Sequence, residues 1–100
     1  MKKSNATHNY FSLVNTLDVL DRHKDKLILW AVPDKHQLDI TGFGSFRKVK
    51  LTLTKDNLVC EYLDPFGTVV ERQIGNDGSF ESYQAQANKI YTYITGKEIK

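Results

Sequence analysis

The side chains equipped for nucleophilic, acid–base or metal chemistry are few in this 100-residue chain, which holds one cysteine and three histidines. A cysteine acts as a nucleophile only as a thiolate with a base in reach. Cys60 instead sits in an alternating apolar run, on the face shared by Leu58 and Tyr62, which predicts a buried, inert thiol. His8, His23 and His36 fall in three different contexts, and neither an HExxH run nor a Cys/His group of zinc-ligand spacing is present. Asp18, Asp21 and Asp25 lack the calcium-loop spacing and its glycine; they read as the solvated side of a helix. The expectation is a non-enzyme with no cofactor and no metal. A small enzyme would require Cys60, a histidine such as His36 and a carboxylate to converge within hydrogen-bond reach.

The stretch "ITGFGSFRKVKL", Ile40 to Leu51, is the one run with the look of a motif. Gly42, Gly44, Phe46 and Val49 resemble in spacing the glycine-rich loop of protein kinases. Arg47 stands where that loop needs its third glycine, and no "VAIK", "HRD" or "DFG" follows. "GFGSF" is also similar to the strand signature of the bacterial histone-like HU and integration host factor proteins. That resemblance spans Ile40 to Val49 and implies a basic arm whose proline tip enters the minor groove of DNA. The chain departs from it by having one helix and an apolar strand ahead of the signature, and by lacking "RNP"; Asp64-Pro65-Phe66 is acidic. No family is assigned on this basis. The remaining reading is structural: Gly42 and Gly44 permit a bend, and Phe43 and Phe46 anchor it in the core.

The elements that must position these residues follow from hydrophobic period. Tyr10, Leu13, Val14, Leu17 and Leu20 recur at threes and fours, predicting a helix over 7–24, widened by Phe11 and Val19 and capped by Asn5 or Thr7. "KLILWAV" (26–32) is short and uniformly apolar, which predicts a strand buried, or nearly so, on both faces. Pro33 ends it, "PDKH" turns the chain, and "QLDIT" (37–41) returns as the second arm of a hairpin. From Phe46 to Thr54, Val49, Leu51 and Leu53 point one way while Lys48, Lys50, Thr52 and Thr54 point the other. Leu58–Leu63 and Thr68–Ile74 are further strands. A final helix carries Phe80, Tyr83, Ala87, Ile90, Tyr91 and Ile94 on one stripe, with Asp77 or Ser79 as its cap and Gly96 as its stop.

Turn chemistry sets the register. "DPFG" (64–67) suits a type I turn followed by a left-handed Gly67 and a bulge. This places Leu58 near Ile74, Tyr62 near Val70, and Glu61 opposite Glu71 on the outer face. An even loop over 54–57 places Lys50 beside Glu61 and sets Val49, Leu51 and Leu53 against Tyr62, Cys60 and Leu58. The fold class is therefore α+β. A four- to five-stranded, mostly antiparallel meander, with an N-terminal and a C-terminal helix packed on one face, forms a single domain over 1–100.

A net charge of +2 argues for neither nucleic acid nor an anionic membrane. Residues 26–54 carry five Lys/Arg against two Asp/Glu, whereas 55–78 carry two against five, a pattern suited to cross-strand ion pairing. A lone cysteine, no signal-like leader and no membrane-length apolar run lead to an expectation of a cytoplasmic protein that does not bind membrane. The function expected is a small binding module acting by protein–protein contact, of the inhibitor, adaptor or accessory class, through Lys48, Lys50, Glu61, Phe66 and Glu71. Tyr93, some 200° round the helix from the apolar stripe, and Trp30 are further candidate anchors. The alternative is nucleic-acid binding through Arg47, Lys48 and Lys50 with nearby aromatics. Oligomeric state is open, with strand pairing across a two-fold axis at the edge formed by Leu58 to Ile74 as a route to a homodimer.

Overall fold

Alternation of apolar and polar side chains through the centre of the chain produces a pleated layer with one oily face, and that face needs a roof. The computed structural model describes residues 5–54, 58–74 and 80–97, giving the backbone alone over 5–12, at 33 and over 80–83. Helix α1 (Asn5–Asp21) leads to strands β1 (Leu27–Val32), β2 (Gln37–Gly42), β3 (Lys48–Leu53), β4 (Leu58–Leu63) and β5 (Val69–Ile74), and helix α2 (Phe80–Thr95) closes the order. The strands form one antiparallel sheet in sequence order, β1-β2-β3-β4-β5. This is the α+β meander expected from the sequence.

The inward-facing side chains Leu27, Ile40, Val49, Leu51, Cys60 and Tyr62 meet Leu20 of α1 and Ala87, Ile90, Tyr91 and Ile94 of α2 in one buried cluster. Full burial of each large aliphatic or aromatic side chain there contributes about 1.5–3 kcal/mol. The β3–β4 register is the one the apolar pattern required: Val49 pairs with Tyr62, Lys50 with Glu61, Leu51 with Cys60 and Leu53 with Leu58. The caps proposed at Asp77 or Ser79, and the side chains of Asn5, Thr7, Tyr10, Phe11, Phe80 and Tyr83, lie outside what the structure describes.

Four expectations are corrected. β1 is an edge strand rather than a strand covered on both faces, and its outward Trp30 is 67% exposed. Six apolar residues in a row record the absence of charge, and whether a neighbour arrives is a separate matter. On α1, Thr16 is fully buried while Val14 is exposed; the buried stripe is centred closer to Thr16 and Leu20 than the leucine spacing indicated. Thr16 Oγ1 has no hydrogen-bond partner among the described residues.

The third correction concerns β5. The "DPFG" turn forms as expected, with the Asp64 Oδ1 atom accepting from the amides of Phe66 and Thr68 and Gly67 at φ 85°. The register, however, shifts between Tyr62 and Leu63, so that Glu61 faces Arg72 and Tyr62 faces Glu71. Val69 keeps the expected place opposite Leu63, and from Glu71 onward the one-residue slip moves the side chains of β5 to the opposite face. Glu71 therefore lies on the helix side and Ile74 turns outward, while Val70, the extra residue of the ladder, is exposed. The slip also removes the like-charge contact, because Glu61 pairs with Arg72 at 3.8 Å. The fourth correction, that Phe43 and Phe46 are exposed, belongs with the site.

The uncovered face carries one row of alternating charge across four strands: Asp39 beside Lys50, Lys50 beside Glu61, Glu61 beside Arg72. Opposite charges directly across a strand pair contribute roughly 0.2–1 kcal/mol each. The row ends at Trp30, the cross-strand neighbour of Asp39. Among the described residues no helix is long and apolar enough to cross a membrane.

Candidate functional site

Gly42 and Gly44 are needed for two different reasons. A Cβ on Gly42 would stand 2.7 Å from Ile94 Cγ2 and 3.3 Å from the Lys26 carbonyl oxygen, so the missing side chain lets the end of α2 close onto the sheet. Gly44 takes φ 74°, a left-handed conformation that side chains resist, with open space around it. The Phe43 amide donates to the Lys26 carbonyl and the Ser45 amide to the Gly42 carbonyl. The "GFG" run is thus a bend joining β2 to β3, held by its own backbone and by α2.

The bend does not carry its phenylalanines inward. Phe43 is 66% exposed and Phe46 82% exposed. In a meander the β2–β3 and β4–β5 connections lie at the same end, and Phe66, 93% exposed, tips the second of them. Between them is a cleft of about 610 Å³ whose walls include Phe43, Phe46, Pro65 and Ile94, with Lys26, Arg47 and Lys97 against one carboxylate among the described residues, that of Asp25. Sequence parity held the clue to Phe46, which shares the even-numbered, outward side with Lys48 and Lys50. Phe43 precedes a left-handed glycine, and Lys26, Pro65 and Lys97 reach the cleft from three separate turns, for which no local signal exists.

The end is held in place. The Arg47 guanidinium donates to the Tyr93 carbonyl at 3.1 Å and lies 5.2 Å from the centre of the Tyr93 ring. Tyr93, expected to be a free anchor, is half-buried: its Oη donates to the Leu63 carbonyl at 2.8 Å and its ring meets Tyr62 edge-on. The Thr41 hydroxyl donates to the Arg47 carbonyl at 2.9 Å.

The side chains expected to form the contact surface are separated by the structure. Lys48, Lys50 and Glu61 share the uncovered face; Lys50 stands between Asp39 and Glu61, and Glu61 is tied to Arg72. Glu71 is on the other face, ion-paired with Lys89 of α2. Phe66 lies at the open end. The basic group Arg47, Lys48 and Lys50 is likewise divided, since Arg47 turns to Tyr93 and Lys50 into the charge row.

Cys60 is buried on the inner face, as its alternation predicted. Burial pushes its thiol up to about 11, against smaller opposing effects from hydrogen bonds to Tyr62 and Gln86 and from Lys89. Among the described residues, the groups acting on it include no histidine. His36 closes the β1–β2 turn, exposed, at φ 49°, while His23 is half-buried against the Tyr91 ring at 5.0 Å. Around Cys60, the Tyr62 hydroxyl donates to Gln73 Oε1 at 2.9 Å, and Gln86 Nε2 donates to both Tyr62 Oη and Gln73 Oε1 at 3.1 Å. Burial raises the Tyr62 phenol far above its ordinary range, with Cys60 and Glu71 adding to the rise. These mutually satisfied groups fasten α2 to β4 and β5. Among the described residues no three His, Cys, Asp or Glu side chains gather as a metal would require.

Comparison with protein-family models, with curated proteins and with solved structures gives no match to this chain. Its function must therefore be argued from its own geometry.

Proposed function

We propose that this protein is a non-catalytic binding module that works by contact with another protein, through the open end rather than the charged sheet face. One observation carries the reading: Phe43 and Phe46 stand 66% and 82% exposed in the wall of one cleft, and Phe66, 93% exposed, tips the adjoining turn next to Pro65 of that wall. An isolated exposed apolar side chain is ordinary, whereas three large ones on adjoining turns mark a contact surface. Covering each would yield about 1.5–3 kcal/mol. The Gly42–Ile94 seam, the Asp64 turn and the Arg47–Tyr93 contact hold the loops beforehand, which lowers the ordering cost of association. Lys26, Arg47 and Lys97 on the rim suit a partner with an apolar centre and an acidic border. The contact set becomes Phe43, Phe46 and Phe66 with that rim. Lys48, Lys50 and Glu61 border it, and Glu71 serves the fold. A nucleic-acid reading is weakened by the carboxylates on either side of Lys50.

The test is photo-crosslinking in the native cell, with a benzophenone amino acid placed at Phe46 or Phe66 and, as control, at Ala85 on the exposed side of α2. The expected result is a discrete polypeptide adduct from positions 46 and 66, absent from position 85 and lost when Phe43→Ser is added. Adducts to nucleic acid, recovery on phosphatidylserine vesicles in place of a polypeptide, or equal labelling from all three positions would overturn the reading.

A further inference from the structure

We infer that the open edge of β1 pairs antiparallel with β1 of a second copy of this chain, joining two five-stranded sheets into one around a two-fold axis at Trp30. This inference is independent of the aromatic end.

Proteins protect a free sheet edge with charge, proline or a bulge. The two edges of this sheet differ in that respect. β5 has a register shift near its start and presents Glu71, Arg72 and Gln73. Self-pairing of β5 centred on Arg72 would set that arginine against its own copy, and centring on Glu71 would do the same for the glutamate, both unfavourable. β1 reads Leu-Ile-Leu-Trp-Ala-Val, pairs with β2 without a bulge and contains no charge and no proline.

The backbone of β1 fixes where a copy would sit. The Phe43 amide bonds the Lys26 carbonyl next to the Leu27–Gly42 pair, which sets the phase of the ladder. Ile28, Trp30 and Val32 direct their backbone polar groups to β2, and Leu29 and Ala31 direct theirs to the open side. Leu27 is already satisfied, since its amide donates to the His23 carbonyl at 3.1 Å, and Pro33 has no amide hydrogen. Among the described residues, the open donors are therefore those of Leu29 and Ala31. One antiparallel register uses both: Leu29 opposite Ala31 of the second copy, each such pair exchanging two bonds. A shift by two residues sets Leu29 against Pro33 in one direction, or Ala31 against the occupied Leu27 in the other.

That same register matches the side chains. Trp30 meets Trp30 of the second copy at a non-hydrogen-bonded position, where side chains are closest. Ile28 meets Val32, and the bulkier Leu29 meets the small Ala31. No charge lies at the seam, and the exposed surfaces of Trp30 (67%) and Ile28 (37%) acquire a neighbour. On the helix side Ala31 is exposed, so the roof does not block the approach. An interface one strand wide is small, so its population depends on protein concentration.

The experiment uses the full chain. Sedimentation equilibrium between about 1 µM and 1 mM protein should show the mass rising from monomer to twice that value with concentration. Trp30→Cys should cross-link to itself under mild oxidation at least about tenfold faster than Ile28→Cys, because only the former faces its own copy at disulfide distance. Mixing Ile28→Cys with Val32→Cys should restore a cross-linked pair. Ala31→Pro should abolish the dimer and leave the circular dichroism of the monomer unchanged, since the amide it removes points away from the sheet. A monomer at every concentration, a dimer that survives Ala31→Pro in a folded chain, or equal cross-linking of Trp30→Cys and Ile28→Cys would each overturn the inference.

Discussion

Two regions of this molecule are built from the same kinds of residue and put them to opposite use. Where α2 meets β4 and β5, an aromatic ring, two glutamines, a thiol and a Lys89–Glu71 ion pair close on one another, and Tyr62 is 1% exposed. At the open end, Phe43, Phe46 and three cations line a cleft, Phe66 tips the turn beside it, and all three rings stand exposed. The first arrangement satisfies each polar group within the chain, so its effects are on stability. The second holds apolar surface in place without covering it, so its effects are on association. Aromatic content, 11% of the chain, therefore separates into fold and contact according to where the backbone turns.

The largest expected effect comes from the closed region. Tyr62→Ala should lower unfolding free energy by roughly 3–5 kcal/mol in a denaturant titration, because it opens a cavity beside Gln73 and Gln86. A loss below about 1 kcal/mol would place Tyr62 outside the stabilising core.

Next is a pH effect. The folded chain holds the Cys60 proton up to about 11, whereas the unfolded thiol releases it near 9.0. Between those values the unfolded state binds fewer protons, so stability is level below pH 9 and falls as pH rises toward 11, by roughly 2–3 kcal/mol. The raised Tyr62 phenol adds to the decline above its ordinary value of 10.0. Denaturant midpoints measured from pH 7 to 11 should show this fall, and its first part, between pH 9 and 10, should vanish in Cys60→Ala.

The seam between the two regions comes third. Gly42→Ala drives a methyl group to 2.7 Å from Ile94 Cγ2, and the expected cost is about 1–3 kcal/mol. Thermal unfolding of Gly42→Ala checks this, and replacing Ile94 by Val, which keeps the γ2 methyl, should not restore the loss. The smallest effect belongs to the open end. Phe46→Ser and Phe66→Ser should change unfolding free energy by less than about 0.5 kcal/mol. A loss comparable to that of Tyr62→Ala would show those rings to be structural and would erase the contrast.

Much of the fold was legible because its signals are local. The parity of Val49, Leu51 and Leu53 against Lys48, Lys50 and Thr52 gave the faces of β3, and the even loop after Leu53 gave its pairing with β4. Asp64, Pro65 and Gly67 announced their turn. The site was less legible. Glu71 was assigned to the wrong face because the extra residue in the β4–β5 ladder has no signature in "TVVERQI". Trp30 fits both a covered strand and an exposed anchor, because an apolar run reads the same at an edge as in the centre. Phe43 and Phe46 were assigned inward on residue type, although the parity of Phe46 with the lysines pointed outward.

The sequence by itself determined which segments are extended, which are helical, where the chain turns and which side of β3 and β4 is oily. Those follow from spacing within a few residues and from backbone limits at glycine and proline. The tertiary structure decided that β1 lies at an edge, that β5 is slipped by one residue, and that Lys26, Phe46, Pro65 and Lys97 share a cleft. These depend on which distant segment arrives beside which. That choice is made by the packing of the whole layer against α1 and α2, and no short window of sequence contains it.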